Sequence, residues 1–343
     1  MSSSLVVQTS FIGDTVLTTP LLVQLANRGP VDVVTTPASA ALLANHPAVR
    51  TVIPYDKRGA DRGLLGLWLL ARRLRANRYD VALLAQGSWR SAALAWLARI
   101  PSRLGFETSA GRWLYTKRVP YRDDLHHAAR LLMLARPNGR EATPEEQRPS
   151  LAPGDAERAA VDALLGEAGA APGARLVALA PGSVWGTKRW PYYPELAKAL
   201  AESGDGLRVV VVGSGADRAL ADAIVAAAPR AIDATGRLGL LASAELLGRC
   251  GVLVTNDSAP MHLASAMGTP TVAIFGPTVP EFGFGPLAPR VSVVGHDTLP
   301  CRPCDRHGPQ HCPLGHHRCM RELSPSTVAE RARTLLLNPD VLA

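Results

Sequence analysis

Residues 252–275, VLVTNDSAPMHLASAMGTPTVAIF, contain two apolar strands with a helix between them, and this order decides the fold class. The first strand is predicted over Val252–Thr255, the helix over Met261–Met267 and the second strand over Thr271–Phe275. A strand made almost wholly of Val and Leu is typical of one that is buried on both faces. The β-α-β order therefore predicts a parallel sheet covered by helices.

The same alternation continues along the chain on the N-terminal side of this segment. In the second half, strands are predicted at Leu176–Ala180, Arg208–Val212 and Ala231–Ala234, and helices at Tyr193–Glu202, Asp217–Ala228 and Ala242–Arg249. In the first half, strands are predicted at Leu5–Gln8, Val31–Thr35, Thr51–Tyr55 and Val81–Ala85, and helices at Val16–Asn27, Ser39–Asn45, Gly63–Ala76 and Arg90–Ala98. The α/β pattern predicts two doubly wound parallel sheets, which bind ligands at the carboxyl ends of their strands.

The domain boundary follows from length and local composition. A chain of 343 residues is long for one domain. Residues 136–153, RPNGREATPEEQRPSLAP, are rich in Pro and charge and have no apolar period, which is typical of a linker. We therefore expect one domain over residues 1–150 and another over residues 151–343, facing each other across a cleft.

Charge is distributed unevenly along the chain. Residues 1–137 contain 18 Lys and Arg against 8 Asp and Glu, whereas residues 138–343 contain 19 against 21. The first half is therefore expected to meet an anionic partner, the alternative being an Arg-rich surface without a binding role. No apolar run approaches the about 20 residues of a membrane span, and no secretory signal is visible at the start, so the chain is predicted to be cytoplasmic.

The junction after the strand ending at Thr255 predicts an anion site. Asp257 or Ser258 can cap the following helix, and Pro260 suits its first turn. The backbone N–H groups of residues 259–261 would then lie at the positive end of the helix dipole, with His262 nearby, which suits a diphosphate. The alternative is an ordinary capped helix with a hydrogen-bonded His.

The loop over residues 181–191, PGSVWGTKRWP, also follows a strand. A Gly-Ser turn with Lys188 five residues after Ser183 allows backbone and ammonium contacts to phosphate, although the spacing is not that of a P-loop. The Gly-Ser-Gly stretch before Asp217 favours a tight strand-to-helix turn over a binding loop.

Four stretches together resemble the heptosyltransferases of lipopolysaccharide inner-core synthesis, glycosyltransferase family 9. They are Phe11-Ile-Gly-Asp14 with Thr18-Thr-Pro20, Pro181-Gly-Ser183 with Lys188-Arg-Trp-Pro191, Asn256-Asp-Ser-Ala-Pro-Met-His262, and Phe275-Gly-Pro-Thr278. The resemblance implies the GT-B fold, with two Rossmann-like domains. The Cys-rich tail, with His316-His-Arg-Cys-Met320, resembles the second heptosyltransferase of that pathway more than the first.

The resemblance implies an inverting transfer of L-glycero-D-manno-heptose from ADP-heptose to a lipid A–Kdo–heptose core acceptor, adding the second heptose. It implies that the donor is held by Gly13, Ser183, Lys188, Leu238, Asp257, Ser258, Ala259 and His262. A ribose-binding acidic residue should lie near Asp217. Another family 9 transferase, of the first or third heptosyltransferase type, is the alternative.

Asp14 matches the general base that the resemblance implies. Inversion needs a base that takes the proton of the acceptor hydroxyl as its oxygen attacks the anomeric carbon. Lys188 and His262 would stabilise the leaving diphosphate, and no metal ion is expected in catalysis, because the chain has no Asp-x-Asp motif. A helix-capping role is the alternative for Asp14.

Four of the five cysteines crowd into one segment, at Cys301, Cys304, Cys312 and Cys319, with four histidines interspersed. In a reducing compartment this spacing indicates a structural zinc site, and packed free thiols, disulfides or a cluster are the alternatives. Cys250 is interpreted as a core residue.

The basic excess falls on the half that would meet the acceptor and an anionic inner membrane. We expect Arg90, Arg112, Lys117 and Arg118 to bind the acceptor, with Arg72, Arg73 and Arg75 contributing to the same charge. A zinc-bearing nucleic-acid-binding protein is the remote alternative, which the 5% aromatic content and the lack of a nucleic-acid module disfavour, so no nucleic-acid partner is expected.

Overall fold

The computed structural model describes residues 2–136, 139–171, 173–203 and 206–337. The chain divides into two compact units, Met1–Ala152 and Pro153–Ala343. Each unit is built on one six-stranded sheet, and every strand pairing in both sheets is parallel. Helices cover the sheets, so the predicted doubly wound α/β architecture is confirmed in each unit.

The N-terminal unit has the strand order β3-β2-β1-β4-β5-β6. Its strands are β1 (Ser4–Gln8), β2 (Val31–Thr35), β3 (Thr51–Pro54), β4 (Val81–Leu84), β5 (Ser102–Phe106) and β6 (Lys117–Val119). Its helices are α1 (Ile12–Ala26), α2 (Pro37–Leu43), α3 (Gly63–Ala76), α4 (Trp89–Leu97), α5 (His127–Ala135) and α6 (Pro144–Gln147). The sheet reverses its winding direction between β1 and β4.

The C-terminal unit repeats this topology, in the order β12-β11-β10-β7-β8-β9. Its strands are β7 (Leu176–Ala180), β8 (Arg208–Val211), β9 (Ile232–Asp233), β10 (Cys250–Asn256), β11 (Thr271–Phe275) and β12 (Val291–Gly295). Its helices are α7 (Asp155–Glu167), α8 (Tyr193–Ala201), α9 (Arg218–Ala227), α10 (Leu240–Gly248), α11 (Ala259–Met267), α12 (Arg318–Arg321) and α13 (Pro325–Leu337). Here the reversal falls between β7 and β10.

These reversals determine where each unit can bind a ligand. In a doubly wound sheet the loops after the two central strands diverge to opposite faces, which opens a crevice at their carboxyl ends. In the N-terminal unit these are the loops after Gln8 and Leu84, and in the C-terminal unit those after Ala180 and Asn256. The loops that carry Asp14, Ser183 and Asp257 are therefore at the switch points.

Helix α1 shows how a local sequence tolerates an internal proline. Pro20 lies inside this helix and has no N–H to donate to the carbonyl of Val16. The Thr19 hydroxyl donates to that carbonyl instead, at 2.8 Å, and both residues are buried. The helix therefore continues to Ala26 and packs Leu21, Leu22 and Leu25 against the sheet.

All of the predicted strands and helices are present, with shifted ends. The largest shift is at α1, which begins at Ile12 and not at Val16, because the Asp14 carboxylate accepts the Phe11 N–H and stabilises an earlier turn. Asp14 therefore lies in the first helical turn and not in a turn before the helix. Strands β5, β6 and β12 were not predicted, and β5 and β6 interrupt their apolar residues with Arg, Lys and Gly.

The segment predicted as a linker is folded in its described part. It contains α6, and Glu146 pairs with Arg136 at 2.8 Å and with Arg140 at 2.9 Å. Residues 137 and 138 lie outside the described residues. The two units divide after Ala152, at the end of this segment. Within the described ranges, no helix has the length and apolarity needed to cross a bilayer.

Candidate functional site

Asp14 lies at the switch point of the N-terminal unit, on the first turn of α1 after β1. Its Oδ2 accepts the backbone N–H of Phe11 at 3.1 Å. The side chain is only 16% exposed. Burial raises the pKa of Asp14 to about 6, against a smaller lowering by the Phe11 hydrogen bond. A carboxyl group with this pKa is a stronger base than an ordinary aspartate and is still ionised at neutral pH.

His127 lies beside Asp14, although 113 positions separate the two residues in the chain. Its Nε2 is 3.4 Å from Asp14 Oδ1, so the two carboxylate oxygens have different neighbours. His127 begins helix α5, which packs against α1. Both residues therefore lie in the first turn of a helix, and the His127 imidazole can orient the Asp14 carboxylate.

A second polar group lies at the carboxyl ends of β1, β3 and β4. Lys57 Nζ donates to the Thr9 carbonyl at 2.8 Å and contacts the Thr9 hydroxyl at 3.2 Å. The Thr9 hydroxyl in turn donates to Gln86, which also accepts from Ser91 at 3.3 Å. Burial, followed by the charges of Arg58 and Arg90, lowers the pKa of Lys57. These hydrogen bonds connect the ends of β1, β3 and β4 and place the Lys57 ammonium at the carboxyl edge of the sheet.

The four residues predicted to bind the acceptor have different surroundings. Arg90 is engaged by the Tyr55 hydroxyl and the Gly63 carbonyl, both at 2.6 Å, so it ties the start of α4 to the loop before α3. Arg112 and Arg118 both stack on the Trp113 ring, at 4.9 and 5.1 Å from its centroid. Lys117 is exposed on β6. The structure thus brings Arg112 and Arg118 together and gives Arg90 a structural contact.

In the C-terminal unit, Asn256 joins the two central strand ends. It is fully buried at the end of β10, and its Nδ2 donates to the Pro181 carbonyl at 2.9 Å, just beyond β7. Its Oδ1 accepts the Trp190 N–H at 3.2 Å and the Tyr193 hydroxyl at 3.3 Å. Asn256 therefore fixes the loop over residues 181–191 against the strand that carries Asp257.

Lys188 and Asp257 form a nearly buried ion pair at this edge. Lys188 Nζ is 2.6 Å from Asp257 Oδ2, and the side chains are 9% and 12% exposed. The same carboxylate oxygen accepts the Thr278 hydroxyl at 2.7 Å. Thr278 follows β11, so side chains from three strand ends meet at one oxygen. The pairing places both predicted donor-binding residues together and orients the ammonium.

The start of α11 differs in detail from the prediction. Ser258 is the N-cap residue, but its hydroxyl lies 3.4 Å from that of Thr255 and makes no capping bond in the described structure. The expectation of free N–H groups over residues 259–261 was wrong for two of them, since Pro260 has none and Met261 donates to the Ser258 carbonyl at 3.1 Å. Ala259 keeps its place at the first helical position, and His262 is buried in the first turn.

Ser183 follows β7 and Leu238 follows β9, two strands of the same sheet that β8 separates. The Ser183 hydroxyl accepts the Trp185 N–H at 3.3 Å, and its carbonyl accepts Arg189 Nε at 2.9 Å. Leu238 is half-buried in the loop after β9. Asp217 accepts both the N–H and the hydroxyl of Ser214, so its carboxylate closes the turn after β8. This agrees with the interpretation of that stretch as a tight turn.

The Cys-rich segment, residues 301–319, packs onto the loops that follow β7 and β11. Gln310 accepts the Gly186 N–H at 3.1 Å and donates to the Val184 carbonyl at 3.0 Å, and His317 Nε2 lies 2.8 Å from the Thr187 carbonyl. On the other side, Arg302 Nη2 donates at 3.1 Å to the Thr278 carbonyl. The segment therefore holds the Lys188 loop and the Thr278 loop from one side.

The four clustered cysteines form no disulfide with one another. The Cys304 thiol donates to the Cys301 carbonyl at 3.2 Å, the Cys312 sulfur accepts the His317 N–H at 3.4 Å, and Cys319 is buried. Burial and then the neighbouring thiols raise the pKa of Cys304 and of Cys319, the latter to about 11. Among the described residues, no three His, Cys, Asp or Glu side chains form a group ready to hold a metal ion. The cysteines are neighbours, but they are not arranged as ligands.

His127, Lys57 and Thr278 were not predicted as site residues. Lys57 and Thr278 follow the carboxyl ends of β3 and β11, and His127 begins a helix whose partner is α1. The signal that would find them is the strand order, because it shows which loops share an edge. Local sequence does not contain that order.

Comparison with known proteins identifies relatives over almost the whole chain. The glycosyltransferase family 9 (heptosyltransferase) model matches residues 67–313. Lipopolysaccharide heptosyltransferase 1 of Pseudomonas aeruginosa is 30% identical, over 98% of this chain and 99% of that protein. Lipopolysaccharide heptosyltransferase 2 of Escherichia coli is 28% identical, over 98% and 99%. The similarity therefore extends across both units.

A solved structure gives the same result for the fold. The E. coli ADP-heptose lipopolysaccharide heptosyltransferase II matches with a TM-score of 0.80 at 26% identity, covering 99% of this chain and 100% of that one. The prediction of a GT-B glycosyltransferase made of two Rossmann-like units is confirmed.

Proposed function

Because the chain belongs to glycosyltransferase family 9, the heptosyltransferases, we propose that it transfers L-glycero-D-manno-heptose from ADP-heptose to the inner core of lipopolysaccharide. The observation that carries this proposal is the Lys188–Asp257 pair at the switch point of the C-terminal unit. A doubly wound sheet binds nucleotides at this place, and here it presents an oriented ammonium beside a helix N-terminus. The relatives named above act on lipopolysaccharide, which supports the choice of acceptor.

On the donor side, we propose that Lys188 contacts the diphosphate and that Asp257 positions its ammonium. The Ala259 N–H at the start of α11, the Ser183 and Ser258 hydroxyls and His262 add hydrogen-bond donors. These groups stabilise the negative charge that grows on ADP as the glycosidic bond breaks. Leu238, half-buried after β9, offers an apolar contact for adenine.

On the acceptor side, we propose Asp14 as the general base. It takes the proton of the attacking hydroxyl, and the oxygen then forms the new bond to the anomeric carbon as ADP leaves on the opposite face. The raised pKa of Asp14 supports this role, because a general base works best when its pKa lies near the pH at which the enzyme operates. Gly13 leaves space next to it, and Arg112, Lys117 and Arg118 supply positive charge for the acceptor.

We propose that the acceptor already carries one heptose, so that the product carries the second. The Cys-rich tail supports this choice. The alternative is addition of the first or the third heptose, and relatives of both other types exist. We further propose that the enzyme works in the cytoplasm in peripheral contact with the anionic inner membrane, where a lipid-linked acceptor would be found.

The four clustered cysteines are proposed to bind a structural zinc ion beside the donor loops. Thiolates are the ligands that tetrahedral zinc prefers, and the neighbouring thiols, after burial, help to raise the pKa of Cys304 and of Cys319. The sulfurs therefore lie close enough for a bound ion to draw them together. A bound ion would hold the segment that contacts Val184, Gly186 and Thr187. Catalysis itself is proposed to need no metal.

Product analysis tests the proposed function. Purified enzyme is incubated with ADP-heptose and with core acceptors truncated at successive sugars, and the products are identified by mass spectrometry. We expect a mass increase of one heptose with the acceptor that already carries one heptose. A gain only on the heptose-free acceptor, or transfer from another nucleotide sugar in a donor panel, would contradict the assignment.

A further inference from the structure

All four tryptophans of the N-terminal unit face solvent. Trp68, Trp89, Trp96 and Trp113 are between 46% and 72% exposed, although tryptophan is mostly buried in soluble proteins. They belong to α3, to α4 and to the short helix over residues 112–114, which packs against α4. Two of them, Trp68 and Trp96, line the same groove, and exposed tryptophans that share a surface are typical of proteins that insert into a membrane interface.

Helix α3 exposes apolar side chains although it also buries an apolar face. Leu67, Leu70, Ala71 and Leu74 pack into the core of the unit. The opposite side, the α3 face, consists of Leu64, Leu65, Trp68, Leu69, Arg72 and Arg75. Leu64, Leu65 and Leu69 are between 52% and 74% exposed, so the first two turns of this face are apolar and the last two are basic. The helix contains no acidic residue.

A basic groove lies at the C-terminal end of the same face. It has a volume of about 560 Å³, and its walls include both Trp68 and Trp96 together with Arg72, Arg75, Arg99 and Arg103. Arg72 also lies 4.9 Å from the Trp68 ring centroid. In the described structure none of these four arginines has a carboxylate within ion-pair distance. Arg103 donates to the backbone carbonyls of Leu114 and Ile100, at 2.7 and 2.6 Å. The groove therefore has positive charge without a carboxylate partner between two aromatic rings.

We propose that the α3 face with this groove docks the enzyme on an anionic phospholipid bilayer. Leu64, Leu65 and Leu69 enter the boundary of the acyl chains, Trp68 and Trp96 lie at the level of the headgroups, and the arginines bind lipid phosphates. An interfacial helix has this combination of apolar, aromatic and cationic groups, and each cation near an anionic surface adds to the attraction. The basic, carboxylate-free groove favours an anionic lipid over a protein partner.

The α3 face is distinct from the candidate catalytic edge. Because α3 runs back from the carboxyl edge of the sheet, Arg72 and Arg75 lie near the amino ends of the strands, next to Tyr79, which precedes β4. Asp14 lies at the opposite, carboxyl edge. The proposal rests on the proposed function for its membrane acceptor, but it assigns lipid contact to residues away from the carboxyl edge that carries Asp14.

Vesicle binding tests this surface with the full chain. Vesicles of phosphatidylcholine are compared with vesicles that also contain phosphatidylglycerol, and bound protein is measured by sedimentation at two salt concentrations. We expect binding to the anionic vesicles that weakens with salt. Leu65→Ser with Leu69→Ser, and separately Arg72→Glu with Arg75→Glu, should each weaken binding by about tenfold or more.

Matched controls use exposed residues of the C-terminal unit. Arg230→Glu with Arg331→Glu changes the same charge, and Val293→Ser with Leu337→Ser removes a similar amount of exposed apolar surface. These controls should bind vesicles like the wild type, and all variants should keep their melting temperature and ADP affinity. The proposal would be overturned if the α3 variants bound vesicles as well as the wild type does. It would also be overturned if the control variants lost as much vesicle binding as the α3 variants.

Three further outcomes separate the bilayer proposal from a dimer interface and from the proposed function. If the wild type is a dimer in solution and the α3 variants are monomers, a second copy covers the face and the bilayer assignment is wrong. If no acceptor receives heptose while vesicle binding still depends on α3, the proposed function fails and the docking surface stands. If the wild type transfers heptose to a deacylated, water-soluble acceptor but binds no vesicles, the docking surface fails and the proposed function stands.

Discussion

Lys188 Nζ lies 2.6 Å from Asp257 Oδ2 at the carboxyl edge of the C-terminal sheet, and neither side chain is much exposed. Thr278 donates to the same oxygen, so the carboxylate holds the ammonium in one direction. The positive charge that we propose binds a diphosphate is thus paired with a carboxylate of the same unit. This pairing compensates the charge of a nearly buried ammonium and leaves its other N–H groups to donate.

Removing one partner of this pair should affect stability and ADP binding in different ways. Asp257→Asn leaves the ammonium without its counter-charge and should lower the free energy of unfolding by about 3 kcal/mol. Lys188→Ala should weaken donor binding and slow transfer. Because phosphate can replace the lost carboxylate, ADP should raise the melting temperature more in Asp257→Asn than in wild type, and less in Lys188→Ala.

Differential scanning fluorimetry with and without ADP checks this prediction. Asp155→Asn removes an exposed partner of Arg158 and should leave both melting temperatures unchanged. Kinetic constants of Lys188→Ala that equal those of wild type with ADP-heptose would exclude a phosphate contact.

Replacement of Asp14 should separate chemistry from donor binding. Asp14→Asn keeps an oxygen that can accept the Phe11 N–H, but it cannot take a proton from the acceptor. We expect kcat to fall by about 10² to 10⁴-fold and the Kd for ADP, measured by calorimetry, to stay unchanged. Full turnover in this variant would remove Asp14 from the mechanism, and a weakened ADP affinity would indicate a folding defect instead.

The pKa of Asp14, about 6, predicts the dependence of rate on pH. Only the ionised carboxylate acts as a base, so kcat/KM should decline below about pH 6 with a slope of one. If the imidazole orients the carboxylate, His127→Gln should shift the pH at which kcat/KM declines. If His127 is purely structural, the substitution should change stability and leave that pH unchanged. The dependence of kcat/KM on pH, measured for the wild type and for His127→Gln, checks this prediction.

The same pKa predicts how Asp14 affects stability. The folded-state pKa is raised above the ordinary value of 3.8, so the contribution of Asp14 to stability is fully present below pH 3.8 and is lost as pH rises through about 6. Asp14→Asn avoids this loss. Its free energy of unfolding should therefore exceed that of wild type by about 2 to 3 kcal/mol at neutral pH, with the gap closing near pH 4. A gap independent of pH would contradict the raised pKa.

Gly186 provides a test of the contact between the Cys-rich segment and the Lys188 loop. A Cβ at this position would lie 2.4 Å from the Gln310 carbonyl oxygen, so Gly186→Ala must push the segment away from the loop. We expect weaker ADP binding, measured by calorimetry, and a lower melting temperature. Gly166→Ala, where a Cβ meets nothing within 4 Å, is the control and should change neither ADP binding nor transfer.

The cysteine cluster predicts the metal content of the purified enzyme. We expect elemental analysis under reducing conditions to find about one zinc per chain, and Cys301→Ser with Cys304→Ser to remove it. Absence of bound metal from the wild type would show that the thiols only pack within the segment. Because zinc is proposed to hold the loop and not to act in catalysis, the variant should show a larger loss in ADP affinity than in kcat.

Local sequence was enough to determine the fold class, most element positions and the loops that carry chemistry. Buried central strands such as residues 252–255 are continuous runs of apolar residues, and a polar motif directly after such a strand must lie at a carboxyl edge. Ser183, Lys188 and Asp257 could be selected for this reason, whereas Asp14 was selected through the family resemblance. Edge strands such as β6, Lys117–Val119, have one neighbour and keep polar side chains, so they leave no such signal.

Only the tertiary structure decided which of these groups meet. The strand order brings Thr278 to the Lys188–Asp257 pair, and the packing of α5 on α1 brings His127 to Asp14, across distances in the chain that no local pattern spans. The outward side of α3 is a further case, because an apolar period predicts which residues form a helix but not which face the core leaves uncovered. Burial depends on the neighbours that surround a side chain, and those neighbours come from the whole fold.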